Sequence, residues 1–237
     1  MKLGSYAHFS VSVVKLDESL PFYLQIGFRK LWENTEPKPW ALLTDGRMNL
    51  HLFESEFSSP AIHYFSSSME KKISELERLG LSLEQQKSKD GNRLQHTFLD
   101  PNELNIMLMH HDDAEMPKPS GSSHSLLGSF GELSINTDDI HASLVFWQKL
   151  DFISTYQSDR PYPWVLLSDG TLTIGLHETK NFSVPAFTFV SPDIAMRVAV
   201  LENDGVPLRR LQNESGLQGA LLTAPDGQLF FLLKGDV

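Results

Sequence analysis

The chain has 237 residues, 41% of them apolar and 21% charged, with a net charge of −10. That length suits two ordinary domains with sizeable cores, and an acidic balance with no basic block argues against nucleic acid or an anionic membrane as partner. Cysteine is absent, which excludes disulfides, thiolate metal sites and a cysteine nucleophile.

At the N-terminus, MKLGSYAHFSVSV lacks the long apolar run of a secretory signal, and no apolar run in the chain reaches the length of a membrane span. A cytoplasmic protein is expected. The segment YAHFSVSVV alternates like a strand. Asp17 is expected to cap a short helix running to Ile26, with Pro21 tolerated near the first turn and Gly27 as the stop. FRKLWEN, PWALLTDG and RMNLHLFES then read as strands, with Asp45-Gly46 as a hairpin turn. A second unit opens with the strand PAIHYFS. The helix SMEKKISELERLG follows, with Ile73, Leu76 and Leu79 on its apolar face, Ser68 at the N-cap and Gly80 at the end. Strands at LSLEQQ, RLQHTFLD and LNIMLMH close the first half, the last two joined by a turn at Pro101-Asn102.

Residues 112–127 begin with the polar run DDAEMPKPSGSS and read as a linker. The same plan then recurs. FGELSINT is a strand, Asp139 to Leu150 a helix, and FISTYQ, PWVLLSDG and TLTIGLHE are strands. PAFTFV opens a fourth unit, whose helix is expected to take Ser191 as cap and Pro192 as its first residue, and to end at Gly205. GALLTAPDGQLFFLLK forms a final hairpin.

The recurrence is visible in the residues themselves. PKPWALLTDGRMNLHLFE (37–54) and PYPWVLLSDGTLTIGLHE (161–178) are identical at nine of eighteen positions without a gap. Such a repeat sets the architecture before any propensity argument. Two domains are expected, 1–111 and 128–237, each with two strand–helix–strands units.

With HFSVSVVKLDESLPFYLQIGF (8–28), its second copy ELSINTDDIHASLVFWQKLDF (132–152), and the hairpins DPNELNIML and APDGQLFFL, the chain resembles the glyoxalase, bleomycin-resistance and extradiol-dioxygenase superfamily, the vicinal oxygen chelate proteins. The resemblance covers nearly the whole chain. It implies an α+β fold of four βαβββ modules, pairing into two open cup-shaped barrels with helices outside and the ligand on the inner face. It also implies that a monomer already contains the pseudo-dimer that single-half relatives form by association. A homodimer is the alternative.

Enzymes of this superfamily hold a divalent metal with His or Glu on the first and last strands of paired modules. The chemistry wants converging nitrogen and carboxylate ligands, with positions left for substrate oxygens. Carried over, those positions are His8 and His51 in the first module, Ala61 and Met107 in the second, Glu132 and Gly175 in the third, and Ala186 and Phe231 in the fourth. The set departs from the superfamily pattern, since Ala61, Met107, Ala186 and Phe231 are not ligands for a hard ion. His63, two residues beyond Ala61 on the same strand face, could supply a third imidazole. Without a metal, His8 and His51 line a cavity and hydrogen-bond a ligand, water or each other. Glu132 faces a barrel interior. There it either binds a cationic or hydroxyl-bearing ligand or acts as a base with a raised pKa; otherwise it is one half of a salt bridge or faces solvent.

Trp40 and Trp164 follow equivalent Pro-x-Pro segments, and either brace a strand or form a stacking wall for a planar ligand. Met107 and Phe231 belong to a pocket floor or core, Phe22, Tyr23, Phe146 and Trp147 to helix–sheet core, and His96 to the face that carries His51. No nucleophile elbow or glycine-rich phosphate loop is present. Three functions compete. One is a metal-free protein binding a small, partly aromatic molecule through Trp40, His51, Met107, Glu132, Trp164 and Phe231. Another is a lyase, isomerase or dioxygenase using Fe, Mn, Ni or Zn on His8, His51 and His63. The last is a metal-free enzyme with Glu132 or His51 as base.

Overall fold

The computed structural model describes residues 1–87, 94–110, 116–214 and 216–235. The first half runs β1 (Tyr6–Ser12), α1 (Leu16–Gln25), β2 (Arg29–Asn34), β3 (Trp40–Thr44), β4 (Asn49–Phe53), β5 (Ala61–Ser66), α2 (Met69–Arg78), β6 (Glu84–Lys87), β7 (Leu94–Leu99) and β8 (Asn105–His110). The second runs β9 (Ser129–Asn136), α3 (Ile140–Lys149), β10 (Ile153–Ser158), β11 (Trp164–Ser168), β12 (Thr173–His177), β13 (Ala186–Ser191), α4 (Ile194–Asn203), β14 (Leu208–Asn213), β15 (Gly216–Thr223) and β16 (Leu229–Lys234). The four βαβββ modules expected from the resemblance are present. No helix among the described residues is long and apolar enough to cross a membrane.

Each half of the sequence builds one open, mixed, eight-stranded sheet. The first has the order β2-β3-β4-β1-β5-β8-β7-β6, and the second β10-β11-β12-β9-β13-β16-β15-β14. The opening strands of paired modules lie side by side and antiparallel, β1 with β5 and β9 with β13. β5–β8 and β13–β16 are parallel. In β1 and β5 residues are buried on both faces, so these strands sit at the centre of their sheet, whereas every residue of the edge strand β2 is exposed.

The chain also divides into two compact units, and each draws segments from both halves of the sequence. One comprises Met1–Ser10, Ser58–Lys118 and Ile135–Ser183. In it Phe98 meets Phe146, Trp147 packs on Phe152 at 4.8 Å, and the Asn102 amide donates to Ser143 Oγ. Tyr64 also donates its hydroxyl to Asp169 there. The other unit comprises Val11–Phe57, Pro119–Ser134 and Val184–Val237. Its core joins Phe22, Tyr23 and Phe28 to Phe189 and Phe230, and the Tyr23 hydroxyl donates to the Asp226 carboxylate at 3.1 Å. Each buried aromatic contributes about 2 kcal/mol of hydrophobic stabilisation, and a buried phenol needs such an acceptor.

Several local expectations shift. Helix α1 takes Lys15 rather than Asp17 at its N-cap, and the Glu54 carboxylate accepts its first N–H, from Leu16. Ser68 stands at the N-cap of α2, but its hydroxyl meets Ser66 instead of the helix. Asp139 does cap α3, accepting from the Ala142 N–H at 2.9 Å. Helix α4 starts at Ile194 behind Asp193, because Ser191 Oγ is taken by the Asp193 N–H and the Arg197 guanidinium. Residues 112–115 of the expected linker lie outside the described residues. Further on it is docked on the Asp45-Gly46 turn, where Gly121 N–H donates to Gly46 O and His124 N–H to Asp45 O. Gly46 has φ +97°, and a Cβ there would stand 2.0 Å from Ser122 O, so only glycine fits.

Candidate metal centre

The first sheet places His51, His8 and His63 on its three neighbouring strands β4, β1 and β5. In the antiparallel pair His8 stands directly opposite His63, and their rings lie 5.2 Å apart. Alternation along a strand sends residues two apart to the same face, so the residue facing His8 is decided by register alone. That register selects His63, not Ala61. Each of the three imidazoles offers one nitrogen, and these nitrogens all lie within 4.8 Å of one another. His8 and His63 are 4% and 6% exposed. His51 is half-buried as a residue, but its Nδ1 is shut off from solvent.

Aromatic rings enclose this group. Trp40 meets His51 edge-on at 5.3 Å, Phe53 stacks on His51 at 5.4 Å, and Phe65 lies 5.0 Å from His8. Lys38 Nζ sits 6.0 Å over the Phe53 ring. The Tyr6 hydroxyl is 3.5 Å from His8 Nδ1, and a phenol oxygen accepting from Nδ1–H would leave the Nε2 lone pair for a ligand. Burial lowers the His51 pKa from 6.5 to about 4, so the ring is neutral at physiological pH. Three imidazoles with no carboxylate among them suit a borderline divalent ion such as zinc, iron or nickel better than magnesium or calcium. The residues therefore fit a metal.

The other candidates fall elsewhere. Met107 is buried beside His63 on β8, with Gln95 donating to its sulfur. His96 is not on the histidine face, since it pairs with Leu108 while Met107 pairs with His63. Burial lowers its pKa, and only Glu77 opposes that. In the second sheet Glu132 is buried opposite Thr188, which in turn pairs with Phe231. Ser134 donates to the Glu132 carboxylate and lies 2.6 Å from Thr188 Oγ1. With Gly175 where the first copy has His51, and Thr188 where it has His63, this sheet has no equivalent ligand set. Trp164 starts β11, donates its indole N–H to Arg160 O, and stacks on His177 with the ring planes 2° apart.

Some residues of interest are absent from the sequence-based set. Ser10 and Asn105 lie on the histidine face, and His177 gathers Tyr162, Trp164 and Phe182 around it. The period of two, counted from His8, points to Ser10. His177 carries no such signal, because its repeat partner is Phe53.

No protein-family profile and no curated protein matches the sequence. Solved structures do match its fold. A catechol 2,3-dioxygenase is similar over 100% of this chain and 89% of its own, with a TM-score of 0.64 at 13% identity. Homoprotocatechuate 2,3-dioxygenase from Arthrobacter globiformis matches over 100% of this chain and 81% of its own, with a TM-score of 0.66 at 15% identity. The 2,3-dioxygenase LapB from Pseudomonas sp. KL28 matches over 100% and 92%, with a TM-score of 0.61 at 15% identity. The repeat, the four βαβββ modules and these likenesses agree: the chain has the fold of the vicinal oxygen chelate superfamily.

Proposed function

We propose that the protein holds one divalent ion on His8, His51 and His63 and binds there a small, partly aromatic molecule bearing neighbouring oxygens. The convergence of three buried imidazole nitrogens within 4.8 Å carries the reading. Such an ion supplies Lewis-acid polarisation of substrate oxygens. The protein's own residues do the rest. Trp40, Phe53 and Phe65 exclude water and offer ring faces to a planar ligand, and Tyr6 orients His8. The names of the similar structures, catechol and homoprotocatechuate dioxygenases, support a dihydroxylated aromatic as substrate class. A lyase or isomerase of the superfamily is the neighbouring possibility.

The test is metal analysis of untagged protein after incubation with Zn²⁺, Fe²⁺, Mn²⁺ or Ni²⁺ and desalting. About one equivalent of a borderline ion is expected, lost in His8→Ala, His51→Ala and His63→Ala. Wild-type protein that retains no ion would sink this reading. It would favour instead the metal-free sequestering protein to which the aromatic lining also points.

A further inference from the structure

One row along the sheet from His8, His63 and Met107 lies a second row, Ser10, Ala61 and Asn105, in direct register and on the same face. Two residues along a strand separate the rows by about 7 Å, roughly the length of one substituted aromatic ring. Ser10 is 0% exposed, and its hydroxyl has no hydrogen-bond partner among the described residues. Asn105 Oδ1 is likewise sealed from solvent and without a partner. Ala61, 0% exposed, stands between them and contributes only a methyl group.

Buried polar atoms are nearly always satisfied, and two exceptions flanking the smallest side chain of a row call for a partner the protein itself does not provide. The second sheet is the internal control. Its equivalent row is Ser134, Ala186 and Leu229. There the serine is bonded to Glu132 and Thr188, and the position of Asn105 is apolar. The two unsatisfied groups occur only beside the histidines.

We infer that Ser10 and Asn105 form a second contact for the ligand of the histidine centre, taking a neutral hydrogen-bonding group such as a carboxamide or hydroxyl at the end remote from its paired oxygens. The inference rests on the proposed function. The row offers a hydroxyl and an amide carbonyl but no cation, so it selects against a carboxylate at that end.

Three probes test it by calorimetry on protein loaded with redox-inert Zn²⁺: 1,2-dihydroxybenzene, 3,4-dihydroxybenzamide and 3,4-dihydroxybenzoate. The benzamide should bind wild type about tenfold more tightly than the parent diol, as one or two net hydrogen bonds allow, and the benzoate should gain nothing. In Ser10→Ala and Asn105→Leu the tenfold ratio should fall to near one while the diol's own affinity stays within about twofold. Ser10→Ala should also raise the thermal midpoint of ligand-free protein, which shows that the lost ratio is not damage to the fold. A ratio near one in wild type, a ratio unchanged in both variants, or no binding by any probe overturns the inference. His8→Ala separates it from the metal reading. If all three probes bind that variant as they bind wild type, the metal reading fails, and the amide-to-diol ratio still reports on the Ser10–Asn105 contact.

Discussion

His51 is kept neutral by its surroundings, and neutrality is what a metal ligand needs, because a protonated imidazole has no lone pair to give. The same shift makes the metal-free protein sensitive to acid. The unfolded chain's His51 takes up a proton near pH 6.5, the folded one only near 4. This contribution is therefore fully present above about pH 6.5 and is lost as the pH falls toward 4, by up to about 3 kcal/mol. Urea unfolding across that window should show a shallower pH slope for His51→Gln, and an unchanged slope would refute the assignment. Ser10 acts in the other sense. Replacing its unsatisfied hydroxyl with the methyl of alanine should stabilise ligand-free protein by about 1 kcal/mol. Such a residue trades stability for binding. The resemblance pointed to His8 and His51, and alternation along β5 added His63; their nitrogens lie together in the structure. The condition of Ser10 and Asn105 was not legible in the sequence, because lacking a partner is a property of all the neighbours together.

Between elements, the repeat allows matched experiments. Gly46 and Gly170 occupy the same hairpin turn in the two copies, with φ +97° and +78°. A Cβ at Gly46 would strike Ser122 O and crowd His124, whereas one at Gly170 meets nothing within 4 Å. Gly170→Ala should therefore cost only the left-handed backbone penalty, about 1 kcal/mol, and Gly46→Ala roughly twice that or more. Equal losses on urea unfolding would mean that the docked segment near residues 120–124 gives way freely. These turns, the four helices and the strands of the described residues other than β14, for which the sequence carries no signal, follow from alternation, glycine stops and the Asp-Gly pairs. The misplacements of His96 and helix α4 have a common cause. His96 lies on the far face because alternation gives the period of a strand but not its phase, which the partner strand sets. Helix α4 begins two residues late because Ser191 and Asp193 both suit a cap, and Arg197 captures the first.

For the whole molecule, the repeat predicts two like halves and the resemblance two open cups, and each half forms one open eight-stranded sheet. It is silent on which modules pack their helices together, since both copies carry the same apolar faces. The compact units cross the halves: Tyr23 reaches Asp226, and Asn102 reaches Ser143. A fragment of residues 1–118 would leave Tyr23, Phe22 and Phe98 without the aromatic partners Phe230 and Phe146. On size exclusion that fragment should run as an aggregate or dimer, and recover a one-to-one complex when refolded with residues 119–237. A well-folded monomeric fragment would contradict the crossed packing.

Crossed packing also bears on descent. In a protein whose duplicated halves each fold alone, a later deletion can discard one copy and leave a working remainder. Here deletion of either copy would strip both cores at once, since the Tyr23 core needs Asp226 and Phe230 and the Phe98 core needs Phe146. Both copies are therefore needed for either core, while only the first sheet carries the three histidines: Glu132, Gly175 and Thr188 stand where it has His8, His51 and His63.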